Sequence, residues 1–355
     1  MSRRIATFND LRDAITAYRL PRVLIAALEL NLFTAIDAGT WTVPDLARKV
    51  KASERGLAIL CRNLAMAGLL KKNGETYRNS RLSATALNGQ HPAYRGDYLQ
   101  LIVSHWADWG RLLESVKSGL PLDHDQPDEP DYRRRFTWAM HHRTLETAPK
   151  VAAQIDLHGA RTLLDLGGGP GTYAMAFLAK NPTLRATVCD RPAALDVAKE
   201  IAATHKAAAR LSYVPLDIMM EDIPGTYDVI WYSNVLHIYG PKDNEALFRR
   251  VLTALNPGGR LLIQDAFLHD RNGLFPEEAS LFAVSMLLFT ENGNTYSAAA
   301  TKAWLTDAGF ERVKVLRMKK GTEDWEDGIL EARCPGTNGK MRSRRAGSGK
   351  SSQPR

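Results

Sequence analysis

The stretch LLDLGGGPG at residues 163–171 places four glycines and a proline directly behind a short apolar run that contains one carboxylate, Asp165. The pattern predicts a buried strand over Thr162–Leu166, a loop over Gly167–Gly171 and a helix over Thr172–Ala179. Glycines in such a loop let a ligand approach the backbone closely. In parallel α/β sheets ligands bind at the carboxyl ends of the strands. The stretch therefore predicts an α/β sheet with a ligand site at this edge.

The glycine loop matches two different binding patterns. Gly169, Gly171 and Ala174 fit GxGxxA, which is typical of dinucleotide sites, whereas Asp165, Gly167 and the two later glycines fit DxGxGxG. The proline inside the loop has no N–H group, and a loop that binds pyrophosphate does so through its N–H groups. The loop alone therefore leaves open a nicotinamide oxidoreductase and an enzyme that binds another nucleoside ligand.

Three polar residues follow the next predicted strands. Asp190 ends the segment ATVCD, where its carboxylate can accept hydrogen bonds from ribose hydroxyls. Asp217 follows a third strand, where it could meet an adenine, and His237 follows a fourth. Because the carboxyl ends of parallel strands meet at one edge, we expect all three side chains at the ligand site.

Composition excludes several classes of protein. No apolar run among the 355 residues approaches the roughly 18–20 residues of a membrane span, and the N-terminus does not resemble a signal peptide. We therefore expect a cytoplasmic protein without membrane contact. The three cysteines, Cys61, Cys189 and Cys334, are far apart and form no metal-binding pattern, so no metal is expected.

The net charge of +8 is concentrated in residues 335–355, which carry six basic and no acidic residues. This segment is rich in Gly, Ser and Pro, and we predict a disordered basic tail. The rest of the chain is nearly neutral, which makes nucleic-acid binding the less favoured alternative.

The sequence divides into a helical part and an α/β part. Residues 41–80 predict a winged helix, with a helix capped near Thr42, a second helix capped by Ser53 and a hairpin turning at Gly74. We predict an all-α winged-helix domain over residues 1–110, connecting helices and a substrate cap over 111–155, and an α/β domain over 156–334. A winged helix can bind DNA, but the second helix here is mostly apolar, so packing or dimerisation is favoured.

Seven segments, taken in their order and spacing, resemble the class I S-adenosylmethionine-dependent methyltransferases. The similarity is closest to the small-molecule O-methyltransferases and covers about residues 20–333. The segments are WGRLLESVKSG, FTWAM, LLDLGGGPGTY, DRP, NVLH, LNPGGRLLIQD and WLTDAGF. The resemblance implies a Rossmann-like sheet with an antiparallel last strand, S-adenosylmethionine as cofactor, a small and aromatic or polyketide-like substrate, and a homodimer formed through the N-terminal domain.

The resemblance also implies roles for individual residues. His237 would be the general base and Glu331, in ILEA, a carboxylate that orients it. The residues implied in cofactor binding are Asp165, Gly167, Gly169, Gly171, Asp190, Arg191, Asp217, Ile218 and Ser233. The residues implied in substrate binding are Trp106, Phe136, Met140, His141, Met286 and Thr295.

Two positions depart from the pattern of this family. Members with a well-defined base carry acidic residues where this chain has Ile238 and Thr295. The family also includes enzymes that methylate carbon and members that use the cofactor without methyl transfer, and both remain alternatives. A winged-helix regulator that senses S-adenosylmethionine is an alternative of another class.

Overall fold

The computed structural model describes residues 4–123, 130–269, 272–318 and 328–336. The predicted basic tail lies outside the described residues from position 337 onward. Among the described helices, none combines the length and the apolar composition that crossing a membrane requires.

The N-terminal domain contains the predicted winged helix. Thr42 caps one helix by accepting a hydrogen bond from the backbone N–H of Asp45, and Ser53 caps the next by accepting from Gly56. Two short strands, Leu70–Asn73 and Thr76–Asn79, form the hairpin predicted at Gly74, and a third, Trp41–Thr42, pairs with the second of them, so this largely helical domain also contains a small sheet in the order β1-β3-β2. The elements are α1 (Phe8–Thr16), α2 (Arg19–Glu29), α3 (Leu32–Ile36), β1 (Trp41–Thr42), α4 (Val43–Val50), α5 (Glu54–Met66), β2 (Leu70–Asn73) and β3 (Thr76–Asn79).

Connecting helices lead from this domain to the α/β sheet. The longest of them, α9, packs against α6 on one side and against helices of the α/β domain on the other. It therefore covers the space between the two parts of the chain. The connecting helices are α6 (Gly96–Ser104), α7 (Trp106–Gly110), α8 (Leu112–Ser118), α9 (Pro130–Thr144) and α10 (Thr147–Gln154).

The α/β domain is a seven-stranded sheet in the order β6-β5-β4-β7-β8-β10-β9. Strand β10 is antiparallel to both of its neighbours, and the other neighbouring pairs are parallel. This confirms the predicted Rossmann-like sheet with an antiparallel last strand. The strands are β4 (Thr162–Leu166), β5 (Arg185–Asp190), β6 (Leu211–Pro215), β7 (Tyr227–Ser233), β8 (Leu255–Gln264), β9 (Glu311–Arg317) and β10 (Gly328–Arg333). The helices are α11 (Thr172–Lys180), α12 (Pro192–Ala202), α13 (Pro241–Thr253), α14 (Glu277–Phe289) and α15 (Ala298–Asp307).

Both faces of the sheet are buried. Leu164 and Ile230 pack on one face with Phe248, whereas their sequence neighbours Leu163 and Trp231 pack on the opposite face. This explains why the strands are apolar almost throughout rather than alternating. With both faces covered, a ligand finds access at the carboxyl edge, where β4, β5, β7 and β8 end.

Candidate active site

The glycine loop after β4 has a backbone that side chains would obstruct. Gly167, Gly169 and Gly171 have φ angles of +68°, +49° and +67°, a region that glycine adopts without steric cost. A Cβ atom on Gly167 would lie 2.9 Å from Cγ2 of Val235. The loop is held in place from β5, because the N–H groups of Gly167 and Gly168 both donate to the carbonyl of Cys189, at 2.8 and 3.2 Å. It forms a cradle in which a ligand can contact the backbone.

Asp165, on strand β4, connects that strand to the helix after the glycine loop. Its side chain is buried, and Oδ2 accepts a hydrogen bond from the N–H of Ala174 in α11 at 3.2 Å. Burial raises the pKa of Asp165 to about 7, and the negative charge of Asp190 adds to the effect. Asp165 therefore fixes the start of α11 relative to β4, a structural contact that the sequence pattern does not distinguish from a ligand contact.

Asp190 lies at the centre of the ligand edge. Its Oδ2 accepts from the N–H of Gly169 and its Oδ1 from the N–H of Arg191, both at 2.7 Å. Burial raises the pKa of this carboxyl group, although these two hydrogen bonds oppose the shift. Each carboxylate oxygen has a second lone pair, so Asp190 can also accept from the hydroxyl groups of a ligand.

The remaining predicted cofactor residues surround the same edge. Asp217 is partly exposed and lies 4.0 Å from the guanidinium of Arg191. Ile218 is buried, with its Cδ1 atom 3.7 Å from a Cβ placed on Gly167. Ser233, at the end of β7, donates to Oε1 of Gln264 at 3.3 Å. A glycine cradle beside carboxylates that accept from hydroxyl and amino groups fits an adenosyl cofactor.

His237 lies just beyond β7 and is held rigidly. Its Nδ1 atom is 2.8 Å from Oδ1 of Asp265, and both residues are buried. The N–H of Asn294 donates to the carbonyl of His237 at 2.9 Å, and the ring of Phe282 meets the imidazole edge to face at 4.8 Å between centroids. A proton on Nδ1 is donated to Asp265, which leaves Nε2 as a hydrogen-bond acceptor.

The implied role of Glu331 requires a correction. Its carboxylate lies 3.2 Å from Arg333, 3.8 Å from Lys314 and 3.9 Å from Arg260. In the sheet, Glu331 is opposite Leu262, three residues before Asp265 and therefore about 10 Å away along the strand. The carboxylate that contacts His237 is instead that of Asp265, a residue to which the sequence pattern assigned no role.

A signal for Asp265 was present in the sequence. The segment LLIQD follows the strand of His237 as the next predicted parallel strand and ends in an acidic residue. Strands β7 and β8 are neighbours, and Ser233 is paired with Gln264. Residues that follow these two positions must therefore come close at the edge.

Some of the predicted substrate residues lie near the glycine loop or His237, and others do not. His141 lies next to the glycine loop, because its Nδ1 is 2.8 Å from Oγ1 of Thr172. Thr295 lies near His237, because it follows Asn294, whose N–H donates to the carbonyl of His237. Met286 is buried one helical turn after Phe282. By contrast, Trp106 is 40% exposed and packs on Arg22 of α2, so it is not among the buried residues around His237.

The two other predicted substrate residues are on α9. Phe136 is half-buried and stacks with Tyr132 at 6.3 Å between centroids, and Met140 is half-buried beside His141. Burial lowers the pKa of His141 to about 4, and the nearby His142 and Arg95 contribute. His141 is therefore a neutral polar group at neutral pH. In the described parts of the chain, no cluster of three His, Cys, Asp or Glu residues could hold a metal ion.

The sequence and the fold are both similar to those of known methyltransferases. A family model of an O-methyltransferase domain matches residues 116–311, and a model of an O-methyltransferase dimerisation domain matches residues 13–89. The chain is 30% identical over 315 residues to 3-hydroxy-5-methyl-1-naphthoate 3-O-methyltransferase of Streptomyces sahachiroi, covering 86% of this chain and 90% of that protein. It is 27% identical over 304 residues to L-tyrosine C(3)-methyltransferase of Streptomyces lavendulae, covering 81% and 82%. The solved structure of the mitomycin 7-O-methyltransferase MmcR is 28% identical, with a TM-score of 0.78 and coverage of 92% and 97%.

Proposed function

Because the chain belongs to the family of S-adenosylmethionine-dependent O-methyltransferases, we propose that it methylates a hydroxyl group of a small aromatic or polyketide-like metabolite, with His237 as general base. The observation that carries this proposal is the buried pair of His237 and Asp265, 2.8 Å apart, at the same edge as the glycine loop. Family membership also decides between the two readings of that loop, in favour of S-adenosylmethionine over a nicotinamide cofactor.

In this proposal, some residues at the edge of the sheet bind the cofactor and another transfers the proton. When bound, S-adenosylmethionine supplies an activated methyl group. The glycine loop, Asp190 and Asp217 would hold the adenosine part, and accurate placement of the acceptor can contribute about 7–11 kcal/mol to catalysis. His237 would take the proton of the acceptor hydroxyl at Nε2, which typically contributes about 10²–10⁴-fold.

Asp265 gives His237 the properties that a base requires. Its carboxylate selects the tautomer with the proton on Nδ1 and stabilises the imidazolium that forms when Nε2 accepts a proton. At the two family positions occupied here by Ile238 and Thr295, this chain offers no carboxylate. Asp265 is the carboxylate of the described structure that contacts the imidazole, so the proposal places the whole orienting role on it.

Methylation of carbon is the second candidate function. It is favoured by the similarity to L-tyrosine C(3)-methyltransferase and by the neutral residues at positions 238 and 295. The two functions differ in the linkage of the product, which two-dimensional NMR of the purified methylated product distinguishes directly.

A homodimer formed through the N-terminal domain is also proposed. Support comes from the match to the dimerisation domain over residues 13–89 and from large apolar side chains exposed on and beside α1 and α2. These are Ile5, Phe8, Leu11, Ile15 and Leu20. Light scattering after size-exclusion chromatography tests the dimer, and a monomer at micromolar concentration would contradict it.

The central experiment combines calorimetry with an acceptor screen. We expect the protein to bind S-adenosylhomocysteine and not NADH, and to transfer labelled methyl groups to members of a panel of phenols and hydroxylated polyaromatics. His237→Ala should lower turnover by about 10²–10⁴-fold and leave the affinity for S-adenosylhomocysteine unchanged. Turnover of this variant at the wild-type rate would remove His237 as the base.

A further inference from the structure

Helix α13 has an amide at one position of its buried face. The buried residues Asn244, Leu247, Phe248 and Val251 are spaced i, i+3, i+4 and i+7, so they lie on one side of the helix. The three apolar members pack in the core of the α/β domain, whereas Asn244 is polar and yet 0% exposed. Because burying an amide costs free energy unless it is hydrogen-bonded, the hydrogen bonds of Asn244 explain why the helix carries it there.

The amide of Asn244 holds the turn that carries His237. Its Nδ2 donates to the carbonyl of Leu236 at 3.1 Å and to that of Tyr239 at 2.8 Å, on either side of His237. It also donates to the carbonyl of Gly240 at 3.1 Å. Three carbonyls around one end of the amide require the nitrogen at that end, since the amide oxygen cannot donate. Asn244 therefore connects both sides of the turn to a helix that is packed in the core.

The turn has little internal support of its own. It consists of Leu236–Ile238, and none of the described side chains caps its start. The hydrogen bond from the N–H of Tyr239 to the carbonyl of Leu236 is long, at 3.4 Å. The carbonyl of Tyr239 has a second donor in the hydroxyl of Tyr296, at 2.7 Å. The carbonyl of Leu236 therefore depends most on Asn244.

Asn244 and Asp265 act on different parts of His237. Asp265 contacts the imidazole at Nδ1, and this contact at one ring atom does not fix the backbone of the turn. The N–H of Asn294 holds the carbonyl of His237 at 2.9 Å, and Asn244 holds the carbonyls on both sides of it. The backbone determines where Nε2 lies, and a displacement of about 1 Å can lower a rate by about 10²-fold.

We propose that Asn244 is a positioning residue that fixes the turn so that Nε2 of His237 faces the acceptor hydroxyl. This rests on the proposed role of His237 as base, but not on the identity of the acceptor. Because Asn244 is completely buried, it acts through His237 and not by contact with the substrate or the cofactor.

Asn244→Ser tests the contacts to the turn separately from the contact within the helix. A serine hydroxyl in a helix can donate to the carbonyl four residues earlier, which here is that of Gly240, but serine is too short to reach Leu236 and Tyr239. We expect kcat to fall by about 10–100-fold, while KM for the acceptor and the affinity for S-adenosylhomocysteine stay at the wild-type values. The rate is expressed per binding site for S-adenosylhomocysteine, counted by calorimetry, so that loss of folded protein does not lower it.

Asn79→Ser is the matched control. The Nδ2 of Asn79 also bridges two backbone carbonyls, those of Phe33 and Asp37, at 2.8 and 3.1 Å, but it does so in the N-terminal domain. This variant should lower the melting temperature and leave kcat unchanged.

A double-mutant cycle with His237→Ala shows whether the effect of Asn244 passes through the base. In the His237→Ala background, Asn244→Ser should change kcat by less than about 2-fold. An equal loss in both backgrounds overturns this proposal alone, as does an unchanged kcat of Asn244→Ser in the otherwise wild-type protein. Wild-type turnover by His237→Ala alone overturns the proposed base, and this proposal with it.

Discussion

Asp265→Asn tests the proposed base most directly, because it removes one charge while keeping the shape of the side chain. The carboxylate and the imidazole are 2.8 Å apart, and their side chains are only 3% and 9% exposed, so solvent screens the pair weakly. A hydrogen bond to a charged group contributes about 1.5–3 kcal/mol, which corresponds to about 10–150-fold in rate. Where the asparagine amide also reverses the tautomer of His237, the loss can reach about 10⁴-fold, as in a Ser-His-Asp triad.

The assay is steady-state kinetics with an acceptor found in the screen, between about pH 5 and 8. We expect kcat to fall with little change in KM. The neutral amide no longer stabilises the imidazolium that forms when Nε2 takes the proton. The affinity for S-adenosylhomocysteine should not change, since Asp265 contacts His237 and not the glycine loop.

Glu331→Gln is the control for a purely structural effect. It also neutralises a buried carboxylate, but one that is paired with Arg260, Lys314 and Arg333. It should lower the melting temperature and leave kcat within a few-fold of the wild type. A kcat of Asp265→Asn within a few-fold of the wild type would refute the orienting role of Asp265.

Two further substitutions test the glycine loop. Gly167→Ala should weaken binding of S-adenosylhomocysteine in calorimetry, because the new Cβ would lie 2.9 Å from Val235 and the φ of +68° costs an alanine about 1–2 kcal/mol; wild-type affinity would show that the loop tolerates a side chain. Asp165→Asn should reduce the pH dependence of stability. Burial raises the pKa of Asp165 from 3.8 to about 7 in the folded state, so its contribution is present below about pH 4 and is lost as the pH rises through 7, a change of a few kcal/mol. Urea unfolding at pH 5 and pH 8 measures this, and equal pH dependence of the two proteins would contradict it.

The parts of the fold that sequence predicted correctly depend on local chemistry. The glycine loop, the apolar strands beside it and the caps at Thr42 and Ser53 are each specified by residues within a few positions of one another. In the N-terminal domain, β2 and β3 form the hairpin predicted at Gly74, whereas β1 is less visible, because it has only two residues and these pair with residues of β3 that lie 34 and 36 positions further on. Such a pairing leaves no periodic pattern in the sequence.

The carboxylate that contacts His237 could not be predicted from a local sequence motif. Whether a carboxylate on β10 reaches the ligand edge depends on the register of β10 against β8. In the structure Glu331 is paired with Leu262, three residues before Asp265, so its carboxylate does not reach that edge. A shift of register would change both the position and the face of the side chain. The position of Asp265 does not depend on the register of β10. Asp265 directly follows β8, which is parallel to β7 and ends at the same edge.

The order of the strands separates two functions that share one edge. Asp190 and Asp217 follow β5 and β6, on one side of the glycine loop, whereas His237 and Asp265 follow β7 and β8, on the other. Helix α9 reaches both sides, with the charge of Arg133 acting on Asp190 and with Arg143 at Asn234. The pair of Asp190 and Asp217 shares no partner with the pair of His237 and Asp265 among the described contacts. Substitutions in one pair should therefore act independently of substitutions in the other. Loss of Asp190 should therefore reduce cofactor affinity at unchanged proton-transfer behaviour, and loss of Asp265 should do the reverse.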